Sequence, residues 1–437
     1  MFLNPHESKW PILALVCVLL LFVAGPCASA EELRIEIDGG AIKALPIAIV
    51  PFALPANFSQ DLAKIIESDL SMSGKFSPMM RKHMISTPSL LKEVNFKDWR
   101  LLGIENLVIG RVDRDGSKLV VNFSLIDVYR GTELLARRIP VSIDQVRKAA
   151  HLVSDIVYAE LLGKRGDFGT KIAYVTLDRE GGEYQLVIAD LDGHDPRPIL
   201  KSPEPLLSPA WSPDGLSLAY VSFEDGRSAI FVQDLKTRAR RKIRLGGGIN
   251  GSPAFSPDGD RLVITSSRDG NPDLFVFSLL DQSVKKITAH PAIDTEGHWS
   301  PDGRGLVFTS DRSGGAQIYY VGLDGSSPRR VTFEMGDYNA NAEYSGDGQR
   351  LVMISRGGRG HRVAVLNLAT GESRFLSDSI LDESPSFSPN GDMVIYSSKV
   401  KNVSRLIAVS TDGNMVARKF TLGQSEIREP AWGPRID

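Results

Sequence analysis

The sequence predicts a six-bladed β-propeller that follows a smaller α/β domain. Three observations support this fold class. The first is a period: an aromatic residue recurs at intervals of 44, 44, 45, 43 and 45 residues, at Trp211, Phe255, Trp299, Tyr344, Phe387 and Trp432. In addition, a turn of the Ser-Pro-Asp-Gly type follows five of the six, and each interval contains several short strand patterns. Such repeats are typical of propellers, in which each repeat supplies one four-stranded blade.

Residues 1–30 have the pattern of a cleaved secretory signal. Lys9 precedes an apolar run over residues 11–24, and residues 28–30 are the small residues that a signal peptidase requires. The run is short for a membrane span. Both cysteines, Cys17 and Cys27, precede the predicted cut, so the exported chain would have no thiol for a disulfide, for catalysis or for a metal. A lipid anchor on Cys27 is the alternative.

Residues 31–165 lack the repeat and are predicted to form the α/β domain. Its first helix has apolar residues at helical spacing between Ser59, a candidate N-cap, and Gly74, a stop signal. A long second helix is expected to end at Gly163, and residues 164–166 are the predicted hinge into a propeller over residues 166–437. The predicted strands are Leu33–Ile37, Pro46–Phe52, Leu107–Val112 and Leu119–Tyr129, and the predicted helices are residues 59–73 and Ile143–Leu162.

The first blade is expected to take its inner strand from the end of the chain. Three strand patterns follow Lys171, but no aromatic residue with a tight turn precedes them. Residues 429–432 supply the missing strand, which gives six complete blades and closes the ring. The aromatic residue of each inner strand, Trp432 included, is expected to pack between blades rather than contact a ligand.

Strand direction predicts which face of the ring the α/β domain covers. The tight turns lie on one face, and the loops that enter the inner strands lie on the other. Because the domain feeds the chain into a second strand at Lys171, it should lie against the tight-turn face. The opposite face and the mouth of the central channel should then be open for a partner.

Several segments together resemble the TolB family, the periplasmic components of the Tol-Pal system of Gram-negative bacteria. The resemblance covers the whole chain, from the signal through the α/β domain to the propeller. The turn motif alone occurs in many propellers, whereas its combination with the strand after the signal is specific. The segments are residues 33–40, 208–215, 223–229, 308–311, 381–386 and 395–398.

The resemblance implies a periplasmic binding protein without catalytic activity or cofactor, which maintains outer-membrane integrity and acts in constriction at cell division. It implies two main partners, the outer-membrane lipoprotein Pal and the inner-membrane protein TolA, and also other lipoproteins and bacteriocin translocation segments. In the family, Pal binding changes the disposition of the TolA-recognised segment. That segment corresponds here to Glu31, Glu32, Leu33, Arg34, Ile35, Glu36, Ile37, Asp38, Gly39 and on to about Ile42. The Pal-contact positions carried over are Asn250, Asp294, Thr295, Glu296, Asn339, Asn341, Asp382, Glu383 and Arg428.

Charge, motifs and histidine spacing also argue against several other functions. A net charge of −2 without a long basic run argues against nucleic acid or a membrane surface. A peptidase is disfavoured because no Gly-x-Ser-x-Gly motif occurs. A metal site is disfavoured because the seven histidines are scattered singly along the chain. Residues 190–195 could hold calcium but fit an ordinary turn better, and the glycine-rich residues 356–360 do not precede a helix. A carbohydrate reader that stacks sugars on Trp211, Trp299 or Trp432 remains the third class.

Overall fold

The fold comes from a computed structural model that describes residues 34–38, 44–178, 181–333, 335–358, 360–401, 403–412, 417–421 and 426–436, with 34–38 and 417–421 as backbone. The predicted signal peptide lies outside these residues. The first part of the chain contains strand β1 and then a five-stranded sheet of order β3-β2-β4-β5-β6 with its helices. The elements are β1 Arg34–Asp38, β2 Leu45–Ile49, α1 Leu62–Met72, β3 Phe76–Pro78, α2 Phe96–Leu101, β4 Asn106–Asp115, β5 Lys118–Asp127, β6 Thr132–Val141 and α3 Val146–Leu162, with short 3-10 turns at Arg81–His83, Leu91–Glu93 and Ile143–Gln145.

The remainder of the chain forms six antiparallel sheets arranged as the blades of a propeller. Blade 1 consists of β7 Lys171–Leu177, β8 Tyr184–Asp190 and β9 Arg197–Ser202, joined by β30 Glu426–Trp432. Blade 2 is β10 Leu206–Trp211, β11 Ser217–Ser222, β12 Ala229–Asp234 and β13 Arg240–Ile243; blade 3 is β14 Asn250–Phe255, β15 Arg261–Ser266, β16 Asp273–Ser278 and β17 Val284–Lys286. Blade 4 is β18 Asp294–Trp299, β19 Gly305–Ser310, β20 Gln317–Gly322 and β21 Arg329–Arg330; blade 5 is β22 Tyr338–Tyr344, β23 Arg350–Arg356, β24 His361–Asn367 and β25 Ser373–Phe375. Blade 6 is β26 Asp382–Phe387, β27 Met393–Val400, β28 Val403–Ser410 and β29 Ala417–Thr421.

The predicted ring closure is confirmed. Strand β30 pairs antiparallel with β7, with Trp432 opposite Ile172, so the last strand of the chain completes the first blade. Trp432 is buried and its indole Nε1 donates to the Thr170 hydroxyl at 2.8 Å. Its backbone N–H donates to Ser386 of blade 6 at 3.1 Å. The C-terminal strand therefore fastens the two ends of the ring to each other.

Local predictions in the α/β domain were partly wrong. Helix α1 begins at Leu62, and its N-cap is Asp61, whose carboxylate accepts from the Lys64 backbone N–H, rather than Ser59. The connection between β4 and β5 is only residues 116–117, because both strands extend beyond the apolar patterns that predicted them. Strand β6 was missed because most of its residues are exposed, so it lacks a clear alternation. None of the helices among the described residues has the length and apolar character needed to cross a bilayer.

The α/β domain lies on the tight-turn face of the propeller, as strand direction predicts. The Tyr158 hydroxyl and the Lys164 ammonium, from and just after α3, donate to the two carboxylate oxygens of Asp392 at 2.9 and 2.8 Å. Asp392 follows the tight turn of blade 6. One apolar core runs through the junction, from Val153 on α3 to Tyr174 on β7. The predicted hinge is therefore a packed segment, and the opposite face of the propeller is left uncovered by this domain.

Candidate functional site

The innermost strands carry a ring of strained residues around the central channel. Each inner strand contains a β-bulge, and the first bulged residue has a left-handed backbone with φ between 46° and 55°. This conformation costs a non-glycine residue about 1–2 kcal/mol. Six such positions, one from each blade, line a cavity of about 230 Å³. They are Ser208, Ser252, Glu296, Asn341, Ser384 and Glu429.

Hydrogen bonds between neighbouring blades hold several of these residues in place. The Glu296 carboxylate accepts from the Asn341 backbone N–H of the next blade at 2.8 Å and from the Thr309 hydroxyl at 2.7 Å. The Glu429 carboxylate likewise accepts from the Ser208 backbone N–H across the blade 1–blade 2 boundary. The channel wall thus consists of strained backbone that side chains of adjacent blades stabilise, an arrangement that concentrates at functional sites.

Burial shifts the titration of the ionisable groups in this wall. It raises the pKa of Glu343 to about 7, although the Phe387 backbone N–H, which donates to this carboxylate at 2.8 Å, lowers it. Burial also raises the pKa values of Glu296 and Glu429. The pKa of His298 falls to about 4 for the same reason, so its ring is neutral at neutral pH. Burial thus favours the uncharged form of each of these four groups.

Replacing Glu343 with glutamine should flatten the pH dependence of stability. The folded chain keeps a proton on Glu343 up to about pH 7, whereas the unfolded chain releases it near the ordinary value of 4.5. Between these values the folded state binds more protons, so the free energy of unfolding falls as pH rises. The contribution is complete below pH 4.5 and is lost as pH passes 7, by at most about 3 kcal/mol. Urea unfolding of both chains between pH 4.5 and 8 measures it.

The matched control is Glu372→Gln, which removes an exposed carboxylate from the same blade. We expect its stability to follow the wild-type pH profile. Identical slopes for wild type and Glu343→Gln across this range would show that the Glu343 carboxyl is ionised in the folded chain, contrary to the effect of burial.

Four of the nine predicted Pal-contact residues are buried at equivalent positions, at or next to the start of an inner strand. The Asp294 side chain is 0% exposed and both of its oxygens accept from the Arg312 guanidinium, at 2.8 and 2.7 Å. Asn339 donates to the Gln317 side chain at 2.9 Å, and Asp382 accepts from two serine hydroxyls. Asn250 accepts from the Ser266 hydroxyl at 2.8 Å. These side chains hold the loops in position and do not face solvent.

The other five predicted residues lie closer to the surface. Glu383 is exposed, Thr295 and Arg428 are half-buried, and Glu296 and Asn341 belong to the strained ring. The structure thus brings all five to the inner strands on the open side of the channel. They differ in whether their side chains are available to a partner. The Glu383 side chain is exposed, whereas the Glu296 carboxylate already accepts hydrogen bonds within the channel wall.

Sequence reasoning missed an apolar group on the same face. Four large side chains project from four successive loops, each of which joins the outer strand of one blade to the inner strand of the next. We call this group the apolar rim; it consists of Ile249, Ile293, Phe333 and Ile380, which are 48–66% exposed. The sequence contains a signal that could have revealed this group: three of the four are isoleucines that lie one or two residues before an inner strand. On the uncovered face these four side chains are available for contact with a partner.

The described part of the predicted TolA-recognised segment is a strand. Of that segment, the structure describes residues 34–38, which form β1 and pair antiparallel with β29, with Arg34 opposite Thr421 and Asp38 opposite Ala417. Strand β1 is thus the outermost strand of a five-stranded sheet in blade 6. Four strand spacings, about 19 Å, separate it from the inner strand β26. The alternating pattern predicted the strand, but the sequence did not indicate that its partner is the last blade.

The fold and its uncovered face define the class of protein: a six-bladed propeller with an N-terminal α/β domain, a scaffold that presents loops around a channel mouth. Family models for the TolB amino-terminal domain and the TolB β-propeller domain match residues 33–134 and 158–436. The chain therefore belongs to the TolB family of Tol-Pal system proteins.

Individual relatives agree over nearly the whole chain. The Tol-Pal system protein TolB of Thioalkalivibrio sulfidiphilus is 52% identical over 96% of this chain and 98% of its own length. That of Nitrosococcus oceani is 51% identical over 97% and 98%. The crystal structure of TolB from Acinetobacter baumannii superposes with a TM-score of 0.87 at 39% identity and covers 92% of this chain and 100% of its own. These relatives are named as system components and not for a reaction.

Proposed function

We propose that this protein binds two partners in the periplasm without catalysing a reaction. The lipoprotein Pal binds the open face of the propeller, and TolA binds the N-terminal segment of residues 31–42. The observation that carries the proposal is the separation of two interaction features: loops with exposed apolar side chains around the channel mouth, and an extra strand at the outer edge of blade 6.

The open face suits a protein partner. The apolar rim supplies side chains that lose water on contact, and Glu383 and Arg428 supply charge beside the channel. The buried anchors, such as the Asp294–Arg312 pair, hold these loops before binding, which reduces the entropy lost on association.

The segment suits recognition by strand addition. One edge of β1 pairs with β29, and among the described residues no strand pairs with its other edge. A partner strand could use the main-chain groups of that edge, or take the whole segment after it leaves β29. Family membership and the names of the relatives, which are Tol-Pal system proteins, support partners from that system.

A chain that lacks residues 31–42 should lose TolA and keep Pal. Removing β1 takes away the groups that strand addition requires and leaves the propeller face unaltered. Titration calorimetry with TolA and Pal of the same organism measures both affinities. We expect TolA affinity to fall by a factor of about ten or more and Pal affinity to change by less than about threefold.

The reciprocal variant is Glu383→Lys in the full chain. Its exposed side chain lies on β26 beside the channel mouth, so charge reversal should weaken Pal binding and leave TolA binding unchanged. Loss of both partners from either variant would contradict two separate surfaces. Retention of TolA by the shortened chain would place the TolA site elsewhere.

A further inference from the structure

A histidine and two carboxylates converge where α3 meets the first blade. His151 lies on α3, and Asp190 and Asp192 lie at the end of β8 and in the turn that follows. One potential ligand atom from each residue lies within 4.8 Å of the other two. The turn is fixed by its own backbone, since Asp190 N–H donates to the His194 carbonyl at 2.9 Å. The sequence alone favoured an ordinary turn here because the histidine comes from the other domain.

His151 is oriented as a ligand would be. Its side chain is only 4% exposed, and its Nδ1 lies 2.8 Å from the buried Asp69 carboxylate. In the tautomer that donates from Nδ1 to this carboxylate, Nε2 keeps a lone pair. Among the residues that the structure describes, Nε2 has no hydrogen-bond partner, and it lies 4.0 Å from an Asp192 carboxylate oxygen. A carboxylate that orients a histidine in this way is the usual outer shell of a histidine metal ligand.

In that tautomer, a cation between Nε2 and the partly buried Asp192 carboxylate would be bound by both acceptors. Ligands of one tetrahedral zinc ion lie about 3.3 Å apart, so small side-chain rotations would bring these atoms to coordination distance. Imidazole nitrogen with two carboxylates favours zinc over calcium or magnesium, which prefer oxygen alone. A cavity of about 480 Å³ that His151 and Asp190 line gives an ion access from solvent.

Arg147 is the competitor for this position. It lies one helical turn before His151 on α3, and its guanidinium contacts Asp192. Its Nε lies 3.6 Å from Asp190 and has no hydrogen-bond partner within the described part of the chain. Lys171 also pairs with Asp190, at 2.7 Å. An incoming ion would displace the Arg147 guanidinium into the adjoining cavity.

We propose that His151, Asp190 and Asp192 form a zinc-binding site that clips the N-terminal domain to the first blade, with Asp69 as the orienting carboxylate and Arg147 as the group displaced. The site is independent of the partner surfaces proposed above. A bound ion would stabilise the junction because it would bind ligands from both domains at once.

Zinc titration of the full chain, without tag histidines and after chelator treatment, tests the proposal. A chromophoric chelator competes for Zn²⁺, and we expect one equivalent bound with a Kd in the micromolar range or below, together with a higher melting temperature. Asp192→Asn should weaken binding by at least about tenfold. Arg147→Gln should strengthen it severalfold, a direction that casual surface binding would not produce.

The matched control is Asp195→Asn, the same substitution in the same turn, where the side chain pairs with Arg197 outside the cluster. It should bind zinc within about threefold of wild type. The proposal fails if the wild-type chain binds no zinc below about 100 µM, or if Asp192→Asn and Asp195→Asn behave alike. If Asp192→Asn does not fold, Arg147→Gln provides the test. Zinc binding by Arg147→Gln that is unchanged or weaker than that of the wild type would refute the proposal that the ion displaces Arg147.

Discussion

Removing residues 426–437 should abolish cooperative folding of the propeller. They include β30, Glu426–Trp432, the inner strand of blade 1, which pairs with β7 and whose Trp432 contacts blade 6 through Ser386. Their loss exposes the buried side chains that pack on Ile427 and Trp432 and leaves the edge of β7 unpaired. Deleting a buried tryptophan alone costs about 3–5 kcal/mol, and a whole domain is stable by only about 5–15 kcal/mol. Thermal melting followed by circular dichroism measures the result.

The control shortens the chain by residues 436–437 only. Ile436 is 49% exposed, and Arg435, which pairs with Asp167 at 2.6 Å, is retained. We expect a change below about 1 kcal/mol. A cooperative transition at the wild-type midpoint in the longer truncation would refute closure by the C-terminal strand.

Asp294→Ala should destabilise the protein by about 3–5 kcal/mol, whether or not a partner is present. Asp294 is fully buried and is bonded through both oxygens to Arg312, whose guanidinium also lies 5.0 Å from the Tyr319 ring centre. Removing the carboxylate leaves the largely buried Arg312 guanidinium without its counter-charge. An unpaired buried charge is strongly destabilising. Urea unfolding at pH 7 gives the difference in free energy.

Two variants separate this cause from simple loss of a surface contact. Arg312→Met added to Asp294→Ala removes the stranded charge and should recover part of the stability. Glu383→Ala removes an exposed acid from the same face and should change stability by less than about 0.5 kcal/mol. Equal and small effects of Asp294→Ala and Glu383→Ala would mean that Asp294 is a solvent-facing contact residue after all.

Asp294 and Glu383 show that a local sequence pattern does not distinguish a buried acidic residue from an exposed one. Both are acidic residues at the start of an inner strand, and both were predicted to contact Pal. One is buried by a guanidinium that comes from the next loop along the blade, and the other is exposed. A polar residue in this position has the same local pattern in either case. The apolar rim was missed for a related reason, since single apolar residues in loops are common and only the fold places these four on one face of the propeller.

The sequence by itself determined the blade number, the ring closure and the face that the α/β domain covers, because turn chemistry and strand alternation are local and repeat at a fixed period. Only the tertiary structure decided which polar residues are anchors, where β1 pairs, and that His151 faces Asp190 and Asp192. These properties depend on side chains from distant segments that meet at the domain junction and around the channel. Burial and charge partners are properties of that assembly, so no local pattern along the chain specifies them.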